Sequence, residues 1–236
     1  MITALTIARR ELSAYFVSPI AYLVSAAFLA LSGFIFALTL TTSKQASMSG
    51  VFFNINIILL FIAPLLTMRL LADEQHNGSL ELLLTAPVRD WEVILGKFLA
   101  AMGLFCIMLL CTLFYPFLIW RIGGNPDIGP ILTGYLGLLL LAGAMLAIGT
   151  LTSTLTENQI VAAVLSFGIL LLLWLIDAAG SLATSAAGIL QALSLPGHYD
   201  DFARGAINLE DLIYYLSLTI GALFIATRVL ETRRYR

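Results

Sequence analysis

The amino-acid sequence predicts an all-α integral membrane protein. Six transmembrane helices are expected, preceded by an N-terminal interfacial amphipathic helix. A short cytoplasmic helix should lie between spans two and three, and short outer-leaflet helices between spans five and six. Three observations carry this expectation. Of 236 residues, 60% are hydrophobic and only 11% are charged, with a mean hydropathy of +0.99. A water-soluble domain carries roughly 25% charged residues, so this chain cannot clothe a surface against water. Six apolar stretches reach the ~20 residues that cross a bilayer as a helix. Finally, one compact polar stretch, Ala72 to Lys97, holds Asp73, Glu74, Glu81, Arg89, Asp90, Glu92, Lys97 and His76.

In chain order, residues 1–18 read as the interfacial helix. Ile2, Leu5, Leu12 and Phe16 can share an apolar flank, while Arg9, Arg10 and Glu11 are polar; such a helix lies in the interface plane. The apolar run after it is too long for the ~7–15-residue core of a signal peptide, so the N-terminus is expected to be retained. Ser18-Pro19 turns the chain into the membrane, proline being tolerated in a first helical turn. The spans are expected at 20–41, 51–71, 98–120, 131–151, 159–176 and 212–229, with a kink at Pro64 in the second. The whole chain, 1–236, reads as a single transmembrane domain. Its polar parts are the cytoplasmic segment 72–97 and the extracytoplasmic segment 177–211, which ends in the polar turn His198-Tyr199-Asp200-Asp201.

Lysine and arginine placement orients the chain. With the N-terminus inside, Arg9, Arg10, Arg69, Arg89, Lys97, Arg228, Arg233, Arg234 and Arg236 are cytoplasmic, against Lys44, Arg121 and Arg204 outside. Both termini and the polar stretch are therefore expected in the cytoplasm. Within that stretch, Gly78 breaks the chain and Ser79 can cap a new helix with Glu81 in its first turn. Leu80, Leu82, Leu83 and Leu84 make that helix greasy, and Pro87 ends it. Asp90 should cap the next helix, which runs through Trp91, Glu92 and Gly96-Lys97 into the third span. A loop facing only water would not keep four leucines together, so they must press on the membrane surface or on another protein.

Several chemistries lack their residues. A phosphate-binding loop needs G-x-x-x-x-G-K-[ST], but Gly96-Lys97 is followed by Phe98 and position 91 is Trp. His76 and His198 fall on opposite sides of the membrane, so no metal-spaced histidine cluster is expected, and no catalytic or cofactor-binding residue is assigned. Cys106 and Cys111, five apart on one helix, point to different faces and read as small hydrophobes. The net charge of −2 gives no reason to expect nucleic acid. Glu157 and Asp177 fit interface positions, and few ionisable groups sit at mid-depth, unlike the buried charge of a gradient-driven transporter. The pairs Gly143/Ala147 and Gly149/Ser153 permit close helix approach. Thr39, Asn54, Asn56, Thr112 and Ser166 could line a path, and the apolar surroundings suit an amphipathic or lipid-like cargo.

The run Arg69-Leu-Leu-Ala-Asp-Glu74, then Gly78-Ser-Leu-Glu-Leu-Leu-Leu-Thr-Ala-Pro-Val88, then Trp91-Glu92 with Gly96-Lys-Phe98 resembles the signature of permease subunits of ABC type-2 exporters. It is most similar to the branch of gliding-motility, copper-processing and sodium-efflux permeases, over nearly the whole chain. The resemblance implies that Glu74, Gly78, Ser79, Leu80, Glu81, Leu82, Leu83, Leu84 and Pro87 form or flank a coupling helix that docks on a separate ATPase. Arg9 and Arg10 would form a second contact with it. Where some relatives carry a basic residue before the glycine, this chain has Gln75-His76-Asn77, which leaves the charge pattern of that contact open. The implied partners are a dimer of ABC ATPase subunits, which would bind the ATP and Mg, and a second copy or a homologous permease. The branch also implies a membrane-anchored extracytoplasmic accessory protein. The implied role is ATP-driven export in a bacterial inner membrane, or mechanical transmission to an extracytoplasmic partner without through-transport.

Overall fold

In a bilayer the backbone polar groups must be satisfied within each segment, and the apolar stretches of this chain do so as helices. The computed structural model describes residues 2–43, 48–78, 88–124, 127–182 and 192–234, and no strand occurs among them. The helices are α1 (Ile2–Val17), α2 (Pro19–Ser43), α3 (Ser49–Thr67), α4 (Ala72–His76), α5 (Asp90–Thr112), α6 (Phe114–Arg121), α7 (Ile128–Leu155), α8 (Gln159–Leu182), α9 (Asp200–Arg204) and α10 (Leu209–Arg234). A 3₁₀ turn at Gly197–Tyr199 leads into α9. Six helical stretches are long and apolar enough to cross a membrane: α2, α3 with α4, α5 with α6, α7, α8 and α10. The chain is a multi-pass membrane protein.

Helix α7 is the central element, packing against α3, α5, α8, α9 and α10. Small residues let it serve so many neighbours. A side chain at Gly137 would meet Phe202 Cβ at 2.7 Å, and one at Gly149 would collide with Thr67. The Gly149 position thus serves packing inside this chain, whereas a Cβ at Gly143 would meet nothing closer than Thr219 Oγ1 at 3.8 Å. About 67% of the most apolar window of α7 is buried, against 22% for α2 and 17% for α8 and α10. Those three present apolar faces outward, with Leu23, Phe34, Leu172 and Ile220 among the exposed residues.

Several boundaries differ from the sequence expectation, for local reasons. The first helix of the second span stops at Thr67, short of Leu71. Ser153 Oγ of α7 accepts from the amides of Leu71 and Ala72 at 3.0 and 3.1 Å and donates to the Met68 carbonyl at 3.2 Å. A side chain from another helix thus replaces the helical hydrogen bonds and frees α4 to form. The helix of the third span begins at Asp90, but its cap position is Arg89 and no side chain caps it; Asp90 is the first helical residue, where its charge suits the dipole. That span is also broken at Leu113, because Pro116 has no amide to offer the preceding turn. Helix α8 runs on to Leu182, capped at its start by Asn158 Oδ1 on the amides of Ile160 and Val161. The turn read as polar is only half so. His198, Tyr199 and Phe202 are buried, with His198 stacked on Tyr214 at 4.0 Å between ring centroids.

Of the polar residues that could line a path, Thr39 and Asn54 bond to carbonyls one turn back, and Thr112 to Leu109 O and Tyr135. Asn56 Oδ1 and Ser166 Oγ are buried without a hydrogen-bond partner among the described residues.

Candidate functional site

The interfacial helix is laid on the fold by a glycine. A Cβ at Gly96 would sit 2.8 Å from the Ala4 carbonyl oxygen and from Ile7. With no side chain there, α1 comes against the start of α5 almost backbone to backbone. Its packed stripe is Ala4, Ile7, Ala8, Glu11, Leu12 and Tyr15, while Leu5 and Phe16 stay exposed. Of the expected flank, Leu12 is packed and Leu5 and Phe16 are not, because the face that meets α5 is the one whose Ala4 and Ile7 lie against Gly96. Glu11, expected among the outward polar residues, turns inward.

It turns toward Lys97, whose side chain is only 1% exposed. Burying an ammonium in this way requires charge partners, and there are two. Lys97 Nζ lies 2.8 Å from Glu74 Oε1 and 3.3 Å from Glu11 Oε1. Arg10 closes the cluster, 2.8 Å from Glu11 and 3.9 Å from Glu74. Two cations and two carboxylates balance, joining α1, α4 and α5. Burial pushes the Glu11 carboxyl up, but the Lys97 charge and the hydrogen bonds from Arg10 and Lys97 outweigh it and leave the group below its ordinary range. The hydrogen bond to Glu11 raises the Arg10 guanidinium further. Tyr15, one turn on, donates to the Leu66 carbonyl at 2.6 Å; burial, helped by the Glu11 charge, holds its phenol neutral well above the usual range.

Helix α4 has five residues, and its Asp73, Glu74 and Gln75 are each held by different helices. Asp73 Oδ1 accepts from Gln159 Nε2 of α8 at 2.6 Å, and Gln159 Oε1 in turn accepts from Arg69 Nε at 3.0 Å. Glu74 holds Lys97 of α5. Gln75 donates to the Thr154 carbonyl of α7 at 3.2 Å and accepts from Arg233 of α10 at 2.8 Å. Arg233 also reaches the Leu155 carbonyl at 3.1 Å and pairs with Glu157 at 3.6 Å. Helix α4 then ends at Gly78, whose φ of +71° is the left-handed conformation that glycine adopts without strain. Between α1, α3, α4 and α5 lies a cavity of about 250 Å³ lined by Arg69, Asp73, Glu74, Glu11, Lys97, Tyr15 and neighbours.

Of the residues singled out from sequence, the structure brings Glu74 and Arg10 together and leaves Arg9 exposed on α1. Gly78 sits where the chain leaves α4. Ser79, Leu80, Glu81, Leu82, Leu83, Leu84 and Pro87 lie outside the described residues. Sequence reasoning missed Glu11, Lys97, Gln159, Ser153 and Arg233 as parts of one network. A signal for Glu11 was present: residues 4, 8, 11 and 15 recur at helical spacing as Ala, Ala, Glu, Tyr, a stripe of small residues with one charge inside it. The distant partners Gln159 and Arg233 have no such local signature. Among the described residues no group of three or more His, Cys, Asp or Glu is placed to hold a metal ion.

The sequence model of one protein family, described as ABC-2 family transporter protein, matches residues 2–220. No curated protein matches the chain.

Proposed function

Because this chain belongs to the ABC-2 family transporter proteins and is the permease subunit of an ABC transporter, we propose that α4 and the segment after it take up the motion of a separate ATPase and pass it into the spans. The observation that supports this reading most is the anchoring of α4. A push on residues 79–87 reaches Gly78 and then α4, whose side chains grip α5, α7, α8 and α10. Two ATPase subunits would dock on residues 72–90, with Arg9 and Arg10 as a second contact, and would bind the ATP and Mg.

Six spans are half of the twelve of a complete exporter, so the permease pairs with itself or with a homologous permease. The cargo is then extruded between the halves, and the apolar character of the spans suits a lipid-like one. Lysine and arginine placement supports a cytoplasmic location for both termini, and the membrane in this reading is a bacterial inner membrane. The test is co-purification with the ATPase. Glu81→Lys or Leu83→Asp should release it while the permease stays folded and monodisperse; retention in both variants would sink the assignment.

A second reading, transmission of ATP-driven motion to an extracytoplasmic partner without through-transport, draws on the outer segment. There the 3₁₀ turn and α9 are fastened to α7 and α10 by Thr133 Oγ1 on the Phe202 carbonyl at 2.7 Å and Tyr215 on the Leu195 carbonyl at 2.7 Å. Stimulation of ATPase activity by such a partner, with no solute moved, would favour it.

A further inference from the structure

The cavity beside α4 contains charges that the ion cluster does not use. Arg69 donates through Nε to Gln159, and no hydrogen bond or ion pair engages its two terminal nitrogens among the described residues. Asp73 accepts through Oδ1 from Gln159 and Asn77, and its Oδ2 takes no hydrogen bond among the described residues. Both residues line the cavity, together with Glu11, Glu74 and Lys97. One concave site of about 250 Å³ therefore offers guanidinium donors and carboxylate acceptors. A ligand of a single charge would satisfy one set and oppose the other.

Tyr15 lines this cavity and also an apolar cleft formed with Phe16, Ala21, Tyr22 and Leu104. The cleft lies where α1 turns into α2, and Phe16, Val17 and Tyr22 are exposed around it. The interfacial helix sets both spaces at headgroup depth. A polar cavity of two signs beside exposed apolar side chains matches an amphiphile, its head in the cavity and its chain along Phe16, Val17 and Tyr22, and a polar peptide side chain would have no use for that apolar flank.

We propose that this cavity binds a zwitterionic phospholipid with a phosphoethanolamine headgroup. The phosphate takes the terminal nitrogens of Arg69, whose planar fork matches phosphate oxygens. The primary ammonium, with three N–H donors, meets Asp73 and the Glu11–Glu74 wall. A choline headgroup has no such donors and calls for an aromatic cage, whereas among the residues lining the cavity only Tyr15 is aromatic. An anionic headgroup can use Arg69 but leaves Asp73 without a donor and brings a second negative charge beside it. The site shares Asp73 and Glu74 with the proposed coupling element, and lipid binding there reaches beyond the proposed function.

The test uses the full chain in detergent, with phosphatidylethanolamine, phosphatidylcholine and phosphatidylglycerol of identical acyl chains titrated in native mass spectrometry. Phosphatidylethanolamine should bind about tenfold tighter than either other lipid, the size expected of one charge-assisted hydrogen-bond set. Arg69→Gln should weaken binding of all three by about tenfold, and Asp73→Asn should bring phosphatidylethanolamine down toward phosphatidylcholine. Soluble O-phosphoethanolamine should displace the lipid where inorganic phosphate does not. Equal affinities in the wild type, displacement by inorganic phosphate alone, or unchanged selectivity in Asp73→Asn would each overturn the proposal. So would equal lipid affinities accompanied by loss of the ATPase from Arg69→Gln, which would mark a protein-docking pocket. If Arg69→Gln does not fold, the wild-type ranking and Asp73→Asn still decide.

Discussion

At the scale of single residues, Lys97 carries the most consequence. Its ammonium is buried between two carboxylates, so its removal leaves Glu11 and Glu74, among the described residues, with only the exposed Arg10 as a cation between them. Lys97→Met keeps the stem and deletes the charge; breaking a buried pair in this way costs about 3–5 kcal/mol, read as a lower thermal midpoint in detergent. The pH dependence carries the sign. In the wild type the Glu11 carboxyl is depressed below its ordinary value near 4.5. Its contribution is therefore fully present above that value and is lost as the pH falls through the depressed one. In Lys97→Met the Lys97 charge no longer offsets burial at Glu11, so that carboxyl rises, and the midpoint should climb as the pH drops from about 7 to about 5. A midpoint that falls over that interval in the variant would show that Lys97 does not hold the pair. Arg10, with a side chain 61% exposed, contributes far less, as solvent-screened pairs do.

At the scale of elements, the contact of α1 with α5 depends on one missing side chain. Gly96→Val should force the helices apart and cost about 1–3 kcal/mol as overpacking. Gly168→Val and Gly221→Val are the controls, since nothing lies within 4 Å of a Cβ at either position. Faster proteolysis within α1 in Gly96→Val, but in neither control, is the expected result; equal behaviour of all three would remove the close approach as a cause. The helices were legible from the sequence for the reason that makes membrane helices legible: twenty apolar residues have few other options in lipid. The breaks were not. The end of α3 is dictated by Ser153, some 80 positions away in the chain, and no local pattern announces it. The break at Leu113 was readable in Pro116. The candidate site divides in the same way. Glu74 and Gly78 stood out within one polar stretch, whereas the grips of Lys97, Gln159 and Arg233 on α4 exist only once the helices are assembled.

At the scale of the whole molecule, five helices meet through α4, and Arg233 is the link of longest reach, 158 positions from Gln75. Arg233→Ala removes that hydrogen bond and the one to Leu155 while leaving the spans intact. Amide exchange over Ala72–His76 should accelerate roughly tenfold through easier local opening, with α7 unchanged; uniform acceleration would mean that Arg233 supports the fold at large. The anchoring of α4 has one more consequence. A short body resting on three separate legs is a tripod: shifting any leg tilts it, and tilting it loads every leg. Thermodynamic linkage between such positions is reciprocal. The same Asp73, Glu74 and Gln75 that carry motion toward α5, α8 and α10 therefore report back. Whatever displaces α8 or α10 from the far side of the membrane is registered at Gly78 as a change of pose, and α4 serves as gauge as well as lever.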